Sequence, residues 1–120
     1  MQKYLSQKVK NGEVNLGEFE IDQGANEPKL LVRGYVYKLN NTMFGIHKAK
    51  RKEYVVSLLP CGFRVAWFRF LVTAIEFCKE IYRYETMWKR ANNNPTKKLP
   101  MIFINKLLET RTKFESKEGR

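Results

Sequence analysis

Between residues 29 and 69 the chain runs through four short stretches rich in β-branched and aromatic side chains, each closed by turn-forming residues. Residues 30–39 come first, interrupted by Gly34 and too short for a helix, and Asn40 with Asn41 then offers a tight turn. Residues 43–49 return toward a charged tip at Lys48, Lys50, Arg51 and Lys52, and residues 53–59 lead away from it. Pro60, Cys61 and Gly62 turn the chain again into residues 63–69, where size and polarity alternate. Connections this short join only antiparallel neighbours, because a parallel crossover needs about a dozen residues or more. The spacing therefore predicts an antiparallel β-meander. Upstream, Val14, Leu16, Phe19 and Ile21 alternate with a shift at Gly17, which predicts an edge strand carrying a bulge there.

The period changes after residue 70. Thr73 and Glu76 have capping-box spacing and place a helix start at Ala74. Ala74, Phe77, Cys78, Ile81, Tyr84 and Trp88 then follow the three-and-four spacing of one helical face, which predicts a helix over residues 74–91 covering the sheet. Asn92 to Asn94 and Pro95 stop it, and the basic stretch through Pro100 reads as a hinge. Met101, Ile102, Phe103, Ile104, Leu107 and Leu108 predict a further C-terminal helix. The expected class is thus α+β: an antiparallel β-meander packed against one main helix, with a C-terminal helix beyond it. Its expected organisation is a sheet-plus-helix domain over residues 1–91, a hinge over 92–100, a helical segment over 101–115, and a disordered tail over 116–120. A short terminal helix is marginal alone, so the segment needs a partner surface. The reading favours a second copy of the chain, hence a homodimer, over its own domain.

A chain of 120 residues has room for one modest core. It carries a formal net charge of +11, with a pI near 9.8. The excess grows along the chain, from +1 over residues 1–40 to +4 over 41–80 and +6 over 81–120. So large a field of one sign on a small body points to a polyanionic partner. No stretch approaches the roughly 20 apolar residues of a membrane span, and the first residues hold no signal-like apolar run. The expectation is an intracellular protein, cytoplasmic or nucleoid-associated, with no membrane partner.

Little in the sequence suggests catalysis. The motifs of phosphate-binding loops, dinucleotide folds and nucleophile elbows are absent. One histidine, His47, and two cysteines, Cys61 and Cys78, lack metal-ligand spacing, so no metal or cofactor is expected. Cys78 reads as a buried thiol, whereas Cys61 lies in a turn. Glu18 with Glu20, and Glu76 with Glu80, are more simply caps and surface charge partners than catalytic pairs. His47 has no recognisable partner and reads as an ordinary strand residue. The expectation is that the protein is not an enzyme.

Two basic groups are more informative. Lys48, Lys50, Arg51 and Lys52 crowd the hairpin tip beside Tyr54 and opposite the strand holding Tyr35 and Tyr37. Cations neutralise phosphates, and exposed rings stack on unpaired bases, so a β surface that displays both suits a nucleic acid. Alternation puts Tyr35 and Tyr37 on one face without saying which face the helix covers. Arg64, Arg69, Arg83, Lys89, Arg90, Lys97 and Lys98 form a second, more dispersed set suited to tracking a backbone. Trp67 and Trp88 lie in apolar stretches and read as core. The expected function is a small DNA- or RNA-binding protein, with single strands favoured slightly over duplex. The alternative is a protein-interaction module, an inhibitor or accessory factor, docking on an acidic or nucleic-acid-binding partner.

Overall fold

Each strand pairs with the next in sequence, as the short connections require. The computed structural model describes residues 12–23, 27–40, 42–59, 62–88 and 99–119. It shows a five-stranded antiparallel sheet in the order β1 (Val14–Ile21), β2 (Leu30–Leu39), β3 (Thr42–Lys48), β4 (Tyr54–Leu59) and β5 (Arg64–Phe68). Helices α1 (Leu71–Tyr82) and α2 (Met101–Lys117) follow among the described residues, and the fold is α+β. Leu39 pairs with Thr42, so Asn40 opens a two-residue turn, and its φ of 53° is the left-handed value such turns demand and asparagine tolerates. At the β3–β4 tip the Ala49 amide donates to the Glu53 carbonyl at 2.8 Å, and the Lys52 amide to the Ala49 carbonyl at 2.9 Å. Lys52 closes that turn at φ 64°.

One face of the sheet carries Tyr37, Phe44, Ile46, Val56, Leu58, Ala66 and Phe68, which form the main core with both helices. From α1, Ala74, Phe77, Cys78 and Ile81 face inward, one turn apart along a single stripe. From α2 come Phe103, Leu107 and Phe114. Phe114 packs edge-on against Phe77 at 6.1 Å and against Phe68 at 6.5 Å, while Phe103 lies 5.8 Å from Trp88. The C-terminal segment therefore buries its apolar stripe in its own core. The second copy expected from the sequence is not needed to cover that stripe.

The other face holds a smaller core of Phe19, Ile21, Val36 and Leu59, flanked by Val32 and Met43. It closes because the sheet curls. The β1–β2 pairing continues to Ile21 and Leu30, whereas β2 leaves β3 at the Tyr35–Ile46 pair. The Asp22 amide then reaches the Gly62 carbonyl in the β4–β5 connection at 2.9 Å. Two glycines admit this crossing: a Cβ at Gly45 would sit 2.5 Å from the Phe19 ring, and one at Gly34 would strike the Ile46 carbonyl oxygen.

Four sequence expectations change. β1 pairs without a break through Gly17, and the bulge lies instead between β4 and β5. Helix α1 starts at Leu71 rather than Ala74, with no side-chain hydrogen bond from its own cap residue, Phe70. The Glu118 carboxylate supplies the cap, accepting from the Arg69 amide at 2.8 Å and the Phe70 amide at 3.0 Å. Thus Glu118 is buried, and α2 runs to Lys117 where disorder was expected. At its other end α1 stops at Tyr82, residues 83–84 turn, and residues 85–88 are helical again, carrying Trp88 back toward the Ile81 carbonyl. Ala91, residues 92–98 of the expected hinge over 92–100, and Cys61 lie outside the described residues.

Candidate nucleic-acid interface

Strand alternation places His47, Val55 and Trp67 in one row across β3, β4 and β5, on the face away from the helices. Gly45, Ser57 and Arg64 form the next row of that face. Arg64 belongs there only because of the bulge. Val56 pairs with Ala66 and Ser57 with Arg64, so Val65 is the extra residue. Val65 and Ala66 are consequently both buried, while Arg64 and Trp67 share the outer side.

Beyond the small core this face opens into a groove of about 480 Å³ beneath the basic hairpin. Val55, Ala49 and the Trp67 ring give it apolar surface; Lys50, Arg51 and Arg64 supply positive charge, and Glu53 one carboxylate. Trp67 is 42% exposed, which corrects its reading as a core residue. Arg111 of α2 reaches round the β5 edge and lies over the indole, its guanidinium carbon 4.6 Å from the ring centroid. Trp88, in contrast, is fully buried.

Behind the groove, the His47 ring meets Phe19 edge-on at 6.2 Å. Burial, and secondarily the Arg64 guanidinium, hold its pKa below the ordinary imidazole value, so the ring is neutral at neutral pH. His47 Nδ1 and Ser57 Oγ are buried without a hydrogen-bond partner among the described residues. Burial pushes the Cys78 thiol well above its usual range, leaving an unreactive core group. No group of three or more His, Cys, Asp or Glu that could hold a metal occurs among the described residues. Within the same residues no helix is long and apolar enough to cross a membrane.

The residues singled out in the sequence therefore separate. Lys50, Arg51 and Arg64 converge on the groove, and Lys52 stands exposed on the same hairpin. Tyr37 is buried beneath the helices, with its phenol pKa raised chiefly by burial, and Tyr35 and Tyr54 are partly buried against the same core. These rings are structural where stacking was expected. Lys48 lies over the Tyr54 ring at 5.6 Å, on that helix-covered side. Arg69 is exposed just ahead of α1, and Arg83 at its end pairs with Glu80 at 2.9 Å; neither lines the groove. Lys89, Arg90, Lys97 and Lys98 lie outside the described residues. Sequence reasoning missed Trp67 and Arg111 as site residues. Comparisons with family models, with curated proteins and with solved structures return no match.

Proposed function

We propose that the protein is a small, non-enzymatic nucleic-acid-binding protein that holds a single strand of DNA or RNA on the groove beneath the β3–β4 hairpin. One observation carries this reading: Lys50, Arg51 and Arg64 meet around a half-exposed tryptophan on a sheet face that the helices leave uncovered. Cations there can neutralise phosphates and release their counterions, and the overall +11 charge steers a polyanion toward the surface. A β surface with an accessible ring is one of the common ways of displaying unpaired bases, and the pairing of that ring with cations is what favours a single strand over a duplex. Such a role suits a cytoplasmic or nucleoid-associated protein.

Joint replacement of Lys50, Arg51 and Lys52 by Gln tests it. All three side chains are exposed on a turn, so the unfolding midpoint should move little. Affinity for a single-stranded oligonucleotide should fall, and the dependence of log Kd on log salt concentration should become shallower by about two, at roughly 0.7 for each of three phosphate contacts removed from a single strand. Unchanged affinity and slope in a folded variant would assign these charges to solubility. Capture of a protein partner from nuclease-treated lysate, with no oligonucleotide bound, would favour the interaction-module reading instead.

A further inference from the structure

We infer that the groove takes one unpaired base stacked on Trp67, with the flanking phosphates against Lys50, Arg51 and Arg64; this rests on the nucleic-acid reading above. Charge and apolar surface are divided within the groove. Its cations come from the hairpin and from the β5 residue re-aimed by the bulge, while Val55, Ala49 and the indole supply the apolar part. A phosphate matches the cations and gains nothing from the rest. A nucleobase matches the rest, because any base offers a π-face and stacks without sequence preference. The flanking sugar-phosphate then meets the guanidinium and ammonium groups, which suit phosphate as fork and point charge respectively.

The size agrees with a nucleotide. A volume of about 480 Å³ lies within the roughly 300–1,000 Å³ range of small-ligand sites. Bases inside a duplex have both faces covered by their neighbours, so an indole can stack on a base only in an unpaired segment or at a strand end. The indole is also held in place before any strand arrives. Arg111 lies over it from α2, and α2 is fixed in turn by Phe114 in the core and by Glu118 on the amides ahead of α1. A ring already ordered loses less conformational freedom on binding.

The test uses the full chain and two strands of equal length, a single-stranded oligodeoxynucleotide and an abasic strand with the same number of phosphates. The chain has two tryptophans, and Trp88 is fully buried, so quenching by a strand reports on Trp67. The base-bearing strand should quench the emission and bind about tenfold tighter than the abasic one, within the range measured for one stacked base. Trp67→Phe should remove the quenching, and Trp67→Ala should bring the two affinities together. Equal affinities with no quenching on the unaltered protein would overturn the base pocket and leave the electrostatic reading standing. A preference for bases that survives in folded Trp67→Ala would also overturn it, by placing the stacking elsewhere. Failure of both strands to bind would overturn the two readings together.

Discussion

Side chains along a regular strand alternate sides, so Arg64 and Trp67, three positions apart, belong on opposite faces unless the strand is interrupted. The extra residue at Val65 supplies that interruption and puts a guanidinium beside an indole. The same guanidinium acts on His47, which burial already disfavours as a cation. An unfolded chain takes up a proton on this imidazole as the pH falls through about 6.5, whereas the folded chain resists until its own lower pKa is crossed. Stability is therefore full above the unfolded value and declines as the pH falls from it. Urea unfolding between about pH 7 and pH 5 should show a smaller loss for His47→Gln than for the unaltered chain; parallel profiles would show that the imidazole makes no difference. Alternation in residues 63–69 was legible in the sequence. Which residue bulges was not, because Val65 and Ala66 are both small and apolar and either can be the one left unpaired. The extra residue sets the side on which Arg64 stands, whereas Trp67 pairs regularly with Val55 and faces outward by alternation with the buried Ala66 and Phe68.

The strands and both helices could be read from local pattern, since turn residues and a change of period separate one element from the next. Their ends depended on distant partners. Thr73 and Glu76 have the spacing of a capping box, yet the orphan amides before α1 are met by Glu118, nearly fifty residues away. A sequence window around Thr73 holds no trace of that carboxylate. Negative charge at a helix N-terminus also complements the helix dipole. Glu118→Ala removes the acceptor from two amide donors and should lower unfolding free energy by about 1–2 kcal/mol, the range for lost caps. Glu118→Gln, which keeps one acceptor oxygen, should lose less. Equilibrium urea unfolding decides it, and an Ala variant as stable as the parent would show that the carboxylate adds nothing. The exposed apolar residues Met101, Ile102 and Leu108 helped suggest self-association, but the buried stripe on the opposite side of α2 is what holds that helix to its own core.

Across the whole molecule the two faces of the sheet are unequal. One is sealed by α1 and α2 and takes the tyrosines with it; the other is closed only at one end by Phe19, Ile21 and Leu59. The net charge raised the expectation of a polyanionic partner from composition alone, and the hairpin cations were legible as a cluster. The covered face could not be known until the helices were placed, and with it went the choice between tyrosine and tryptophan as the accessible ring. The central claim, that nucleic acid occupies the open end of the uncovered face, is tested most directly by amide and indole NMR shifts during titration with a single-stranded oligonucleotide. Shifts should concentrate at residues 49–53, at Val55, at residues 64–67 and at the Trp67 indole N–H, leaving the Trp88 indole and the outer turns of α1 unmoved. Perturbations confined to the surfaces of α1 and α2, with the Trp67 indole unmoved at saturation, would contradict it.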